Sequence, residues 1–442
     1  MDTSTSSAGL HRVLGLRDLI IYGIAFMTPI APAYIFGIAT EATGGMLASA
    51  YAVALLAMLF TAGSYGHMAS AFPVAGSTYS YTQKGIHPYL GFIAGWSMFL
   101  DYVLVPLIVF MVGAAYANAA FPAIPYEAWV FIIALIVTTV NYYGVEMAAK
   151  TNLLLVGLMG LIVLVFVGSC FSYLQGAGMP LLSAAPFYQP DGFSMDALLA
   201  GSAIACFSFL GFDSITTMSE EALHPKRDIG RAAVFACILG GLIFIVQSYA
   251  AQLVWPDHTS FSSLDTALFE VAERAGGLPL AMLYTAAVVL STMTAGLTGQ
   301  SSAARLLYGM GRDQVLPKGF FTYLHPKYKT PTYNILLMCC IGIVGALYLD
   351  ISLVTELLNF GGLFGFMCVN ISVISYYFFR QRQRRFFSYL LFPLIGFSVC
   401  AYLWLHLSHM ALFIGFSWMA AGLLYLTVST RFFQKLPATF SE

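Results

Sequence analysis

The chain has 442 residues, of which 59% are hydrophobic and 9% charged, against roughly 25% charged residues in an ordinary soluble domain. No water-soluble core absorbs that much apolar surface. A formal net charge of −1, with no basic tract long enough to follow a phosphate backbone, also excludes the electrostatic footprint of a nucleic-acid binder.

A helix crosses the roughly 30 Å hydrocarbon layer with about 20 apolar residues, at about 1.5 Å rise per residue. The polar opening, MDTSTSSAGLHRVLGLRD, shows no small-residue cleavage site before the first apolar segment, so residues 1–18 are expected to remain as a cytoplasmic tail. Apolar windows then predict spans at 19–39, 46–68, 90–119, 128–147, 151–175, 197–219, 231–254, 278–302, 333–349, 352–379, 387–406 and 409–430, followed by a tail over 431–442. The expected fold is an all-α polytopic membrane protein of about twelve transmembrane helices.

An even count places both termini on one side, and positive charge identifies that side as the cytoplasm. Of the 19 basic residues, 18 then fall in cytoplasmic loops or tails, among them Arg17, Lys84, Lys150, Lys226, Arg227, Arg305, Lys318, Arg380 and Arg385; only Arg274 falls outside. One miscounted span would invert every later loop, so the asymmetry supports the count. The seven cysteines all lie in apolar stretches without paired loop spacings, which reads as small buried hydrophobes rather than disulfides or zinc ligands. The eight histidines show no ligand spacing, so neither metal nor cofactor is expected. The RQRQRR run at 380–385 reads as a topology anchor that also suits anionic lipid.

Two spans are poor helices at their centres. The first reads IAFMTPIAPAYIFGI, with Pro29 and Pro32 each lacking an N–H and disfavouring helix before it; the sixth reads CFSFLGFDSITTMSEE, with Gly211 and an acidic Asp213 at membrane depth. Irregular backbone survives there only where it lines a cavity or is buried in protein. Breaks five helices apart are what an inverted five-plus-five repeat predicts, with substrate between them near the midplane; two ordinary kinks are the competing reading.

The residues also resemble a known family over essentially the whole chain. The stretches SYGHMASAFPVAGSTYSYTQKGIHPYLGFIAGWSMFLDY (64–102), EALHPKRDIGRA (221–232), SSAARLLYGMGRD (301–313) and LHPKYKTP (324–331) are similar to the amino acid/polyamine/organocation transporters. CFSFLGFD, TTMSEE and GWSMFLDY look most like the bacterial putrescine importer branch. That resemblance implies a LeuT-type five-plus-five core (helices 1–10, residues 19–379) and two C-terminal helices (387–430). It also implies alternating access and a substrate site built by helices 1, 3, 6, 8 and 10. The expected location is a bacterial inner membrane.

Candidate substrate-binding residues are Thr28, Pro29, Ile30, Ala31 and Tyr34 in helix 1, Asp101 and Tyr102 in helix 3, and Phe207, Ser208, Phe209, Gly211 and Asp213 in helix 6. Asp213 reads either as a functional charge, because a buried one costs about 3 kcal/mol or more, or as a cap on the restarted half-helix. Asp101 either attracts an ammonium group or is satisfied by Tyr102 or a nearby serine. Glu220 and Glu221, near Lys226 and Arg227, read as a gating ion pair or a solvated helix end, and Glu220 also as a coupling residue. Lys150 reads as a snorkelling residue, and Met159 stands where several proton-coupled relatives carry a lysine in helix 5. Phe212 and Trp96 are further aromatics with either a cation–π or a packing role.

Many family members hold a substrate carboxylate on N–H groups at a glycine-rich helix 1 break. Here Pro29 and Pro32 offer none, while prolines leave carbonyls free, those of Ala25 and Thr28 being expected, which suits a cation. Tyr34 stands where the putrescine importers carry an aspartate, which removes one anchor for a diamine. Ser291, Thr292, Thr294 and Thr298 in helix 8 are hydroxyl ligands suited to sodium, yet carboxylates near the path favour a proton as coupling ion.

The partners expected are therefore a small amine or amino acid, a coupling ion and membrane lipid. A neutral amino acid permease or an exchanger is the alternative within transport. A channel lacks a filter-like run, and an enzyme lacks a nucleophile elbow, HExxH or a clustered acid/base set.

Tags at the N-terminus, at 382–385 and at the C-terminus should be accessible from the cytoplasm, and a tag near 185 from outside; an extracellular C-terminus would defeat the twelve-span reading.

Overall fold

A computed structural model describes residues 14–73, 77–143, 148–190, 193–220, 222–312, 317–328 and 330–430. Within these, α1 (Leu16–Met27) leads through a 3-10 turn at Ala31–Tyr34 into α2 (Phe36–Ala42), and together they form the first crossing. There follow α3 (Leu47–Ala71), the short polar α4 (Ser77–Gly85), α5 (Pro88–Ala120), α6 (Tyr126–Tyr143) and α7 (Ala148–Gly176). The sixth crossing is α8 (Met195–Ala205) continued by 3-10 segments Cys206–Phe209 and Phe212–Glu220.

Next come α9 (Pro225–Val254) and α10 (Ala267–Arg312), the latter interrupted at Gly276 and Gly277, where φ is −147° and 70°. The chain ends with α11 (Lys318–Phe321), α12 (Thr332–Tyr348), α13 (Ile351–Val373) with a π-helical extension to Arg380, α14 (Phe392–Leu405) and α15 (His409–Ser429). Ten described segments are long and apolar enough to cross a membrane, and the shorter apolar helices 126–142 and 332–348 occupy the fourth and ninth predicted spans. The chain is thus a nearly all-helical multi-pass membrane protein.

Local chemistry sets several helix starts. Pro88 and Pro225 occupy first-turn positions, where a missing N–H is harmless, and the Ser194 hydroxyl accepts the Ala197 N–H at the start of α8. Burial then sorts the helices. The best apolar window of α13 and its extension is 83% buried, and that of α15 is 22% buried. Leu135, Leu154, Leu164 and Val428 point outward, 68–74% exposed, as lipid-facing leucines and valines do.

Between helices, lipid tails are as apolar as leucine, so close packing and polar contacts replace hydrophobic collapse as the cohesive force. The α3–α9 contact brings two backbones together: a methyl added to Gly66 would lie 2.8 Å from Gly230 Cα, and one on Gly230 2.6 Å from Gly66 Cα. Buried amides hold other seams. Asn370 on α13 donates to Thr61 (3.1 Å) and accepts from Ser64 (2.6 Å) on α3, and Gln300 on α10 accepts from Asn141 (2.7 Å) and donates to Thr138 (3.0 Å) on α6.

The cysteines are free thiols; Cys170, Cys206, Cys237 and Cys400 are buried, whereas Cys340 is exposed on α12 and departs from the expectation of burial.

Gly230→Leu should lower the folded yield and cost about 1–3 kcal/mol through overpacking, read as reduced thermal stability in detergent. Gly63→Ala, on the same α3 but with open space around the added methyl, should leave stability within about 0.5 kcal/mol.

Candidate functional site

The break in the first crossing follows from its prolines. α1 stops at Met27, and Thr28 takes φ 50° and ψ 129°, a left-handed conformation costly for a β-branched residue. The turn closes on itself: Ala31 N–H donates to the Thr28 carbonyl (3.2 Å), Ala33 N–H to Ile30 (2.9 Å) and Ile35 N–H to Pro32 (3.2 Å). The Thr28 carbonyl, expected to be free, is therefore occupied. The Ala25 carbonyl lacks its usual helical donor, because the residue four positions on is Pro29.

In the sixth crossing α8 ends at Ala205, Leu210 leaves helical geometry at ψ 132°, and Gly211 takes φ 109°. Any side chain at Gly211 would also meet the Phe26 ring, so backbone conformation and space both require glycine. Just beyond, Asp213 lies in the first turn of the restarted 3-10 segment, where a carboxylate is favoured by the exposed N–H ends of the helix.

The two breaks face one another across a cavity of about 380 Å³, completed by α5 and α10. Among the described residues three carboxylates line it, Asp18, Asp101 and Asp213, and no lysine, arginine or histidine does. Asp18 and Ile21 lie at its exposed end, and Thr28, Ala31 and Tyr34 at its buried end. Asp101 has no hydrogen-bond partner and no opposite charge among the described residues.

Tyr34 closes the buried end. Its hydroxyl pairs with Ser291 on α10 at 2.7 Å, and its ring is tilted against Phe207, with centroids 6.1 Å apart. Beyond it the wall is sealed by the Tyr116 hydroxyl donating to the Ala33 carbonyl (2.8 Å), by Phe36 on Phe261, and by the Leu264 backbone pressed on Gly37. On α10 the Thr294 and Thr298 hydroxyls face the cavity but donate to their own helix, to Leu290 (2.9 Å) and Thr294 (3.1 Å).

Of the residues singled out from sequence, Thr28, Ala31, Tyr34, Asp101, Phe207, Gly211, Asp213, Thr294 and Thr298 come together in the cavity wall, and Ser291 adjoins it through Tyr34. Others do not line it. Pro29 and Ile30 are buried behind the turn; the Ser208 hydroxyl pairs with Tyr51 (2.8 Å), and Phe209 packs on Tyr51 and Phe244. The Thr292 hydroxyl donates to Val289, and Met159 is buried away from the cavity.

Phe212 is packed between Tyr65 and Phe366, and Trp96 stacks on Trp418 with reciprocal indole-to-carbonyl bonds of 2.9 and 3.0 Å. The side chains of Tyr102, Lys150 and Glu220, and all of Glu221, lie outside the described residues.

Sequence reasoning missed Asp18, Tyr22, Phe26 and Met98. Asp18 sits at the polar boundary of the first span and reads there as a flanking charge; in the structure it lines the exposed end of the cavity, its carboxylate also accepting the Gly15 N–H (2.9 Å). Among the described residues no cluster of histidine, cysteine and carboxylate is suited to a metal.

Comparison with known proteins agrees with this architecture. The amino acid permease family pattern matches residues 18–433. The chain is 37% identical to the low-affinity putrescine importer PlaP of Escherichia coli strain K12, over 98% of this chain and 96% of that one. It is 26% identical to the branched-chain amino acid permease BcaP of Bacillus subtilis, again over 98% and 96%. Its fold is similar to that of a mutant Eremococcus coleocola manganese transporter, with a TM-score of 0.59 at 13% identity over 99% of this chain and 100% of that one. A family match across nearly all the spans, together with this extended identity, means that the chain belongs to the amino acid permease family and is a transporter of the amino acid/polyamine/organocation superfamily.

Proposed function

We propose that the protein imports a small organic amine of the putrescine type across a bacterial inner membrane, by alternating access and in symport with protons. The observation that carries this reading is a cavity walled, among the described residues, by three carboxylates and no cationic side chain. Such a wall attracts a cation and repels an anion. Similarity to PlaP supports the amine class and the bacterial membrane.

A substrate carboxylate would find few donors. Pro29 and Pro32 have no N–H, and those of Ala31 and Ala33 close the helix 1 turn. A desolvated carboxylate without partners costs several kcal/mol. An ammonium group, in contrast, can meet the unpartnered Asp101, the Asp213 carboxylate and the Ala25 carbonyl, with Tyr34 and Phe207 beside it for cation–π contact.

Exposure at the α1 N-terminal end and closure beyond Tyr34 correspond to an inward-facing state if both termini are cytoplasmic, as the distribution of basic residues favours. In this reading helices 1–10 form an inverted five-plus-five unit, and 387–430 add two peripheral helices. Asp101, a midmembrane carboxylate with no ion pair to a described residue, is the candidate proton carrier for such symport. Sodium is the less favoured ion because Ser291, one of its hydroxyl ligands, is engaged by Tyr34. Uptake of labelled putrescine and leucine into proteoliposomes, with proton and sodium gradients imposed separately, tests the whole reading. Leucine uptake without putrescine uptake, or dependence on sodium alone, would overturn it.

Asp101→Asn should lower putrescine uptake at least about tenfold while membrane levels stay normal, a loss of about 1.4 kcal/mol or more in apparent binding. Asp213→Asn should likewise weaken uptake at normal membrane levels; unchanged uptake kinetics would leave Asp213 a structural role alone. Unchanged uptake by Asp101→Asn would remove that residue from the site.

In competition assays the amino acid should compete at least about tenfold less well than the amine of the same carbon skeleton, again about 1.4 kcal/mol. Tighter competition by the amino acid would transfer the assignment to a permease for neutral amino acids.

A further inference from the structure

The cavity wall leaves open what holds the sixth crossing in its broken form. A continuous α-helix through 195–220 would satisfy its own backbone, whereas α8 tightens after Ala205 into the 3-10 segment Cys206–Phe209 that leads to the break at Leu210, and at this change of register its last carbonyls no longer each keep an i+4 donor. In the membrane interior a partner must come from elsewhere in the protein. That partner is on α13. The Asn359 amide donates to the Ala203 carbonyl at 2.9 Å and approaches the Ile204 carbonyl at 3.4 Å.

Asn359 is fully buried and its own Oδ1 has no partner among the described residues. Such a group is destabilising unless its other end does something an apolar residue cannot. Two carbonyl oxygens can be met only by the amide NH2, so the orientation of the side chain follows from its neighbours.

The following turn of the same helix touches both sides of the cavity without lining it. A methyl on Gly361 would lie 2.7 Å from the Ser97 carbonyl oxygen, one turn before Asp101, and a methyl on Gly362 2.5 Å from the Leu210 side chain, one residue before Gly211. A methyl on Gly365 would lie 2.8 Å from the Met98 sulfur. One helical segment, 359–365, therefore abuts the Asp101 turn of α5 and the broken strand of the sixth crossing together.

We propose that Asn359 is a positioning residue: by holding the terminal carbonyls of α8 it fixes where the sixth crossing breaks, and so fixes the placement of Gly211 and Asp213 opposite Asp101. It touches no substrate. Its effect on transport passes through the break.

Hydrogen exchange of the full chain in nanodiscs tests this without any substrate, and so stands apart from the assignment of putrescine. Asn359→Ala should speed exchange in 203–214 at least about threefold. Asn370→Ala, which removes an equally buried amide on the same helix but one bonded to α3, should leave that segment unchanged.

In uptake assays with labelled putrescine, Asn359→Ala should raise KM at least about fivefold with Vmax per folded molecule within about twofold, and Asn370→Ala should not move KM. Gly362→Ala, which presses only on the flexible end of Leu210, should raise KM in the same direction and decides the matter if Asn359→Ala does not fold. Exchange in 203–214 that is unchanged by Asn359→Ala, or moved equally by Asn370→Ala, would overturn the proposal. So would an unchanged KM in Gly362→Ala where Asn359→Ala is not recovered. Wild-type protein that takes up no putrescine would defeat the amine assignment alone, since the exchange result stands without it.

Discussion

In a hydrocarbon layer no water is available to satisfy a backbone amide, and the rest of this structure depends on how that requirement is met. An unbroken helix satisfies it internally and is therefore inert toward a solute. A helix that stops midway exposes carbonyls at one end and N–H groups at the other, polar groups that a membrane interior presents without ionised side chains. The first and sixth crossings stop in this way after Met27 and after Phe209, and the cavity lies between them.

What each break offers depends on what the chain spends on closing it. In the first crossing Pro29 and Pro32 remove donors, and the turn consumes the N–H groups of Ala31, Ala33 and Ile35. In the sixth, Asn359 takes the carbonyls of Ala203 and Ile204 at the end of α8. Asp18, Asp101 and Asp213 then give the described lining its sign.

The two midmembrane carboxylates sit differently. Asp213 lies two residues beyond Gly211, in the first turn of the restarted segment, whereas Asp101 projects from a continuous helix. Asp18 at the exposed end extends the same negative lining toward the entrance.

Composition, the spacing of apolar segments and the distribution of basic residues were enough to determine a polytopic helical membrane protein, because lipid imposes its length and charge rules on each segment independently of its neighbours. The breaks were also legible, since Pro29, Pro32 and Gly211 act on the backbone within a few residues of themselves. Which side chains face the cavity was not. Ser208 and Phe209 adjoin the lining residue Phe207 in sequence, yet a 3-10 turn rotates them onto Tyr51 and Phe244. Asp18 looked like a flanking charge, yet it lines the exposed end of the cavity. Asn359 carried no signal, because an asparagine in an apolar span reads alike whether it pins a neighbouring helix or a break. Facing and partnership depend on contacts between residues 150 or more positions apart, such as Asn359 with Ala203 and Tyr34 with Ser291. Only the packed tertiary structure decides them, since an isolated segment has nothing to face.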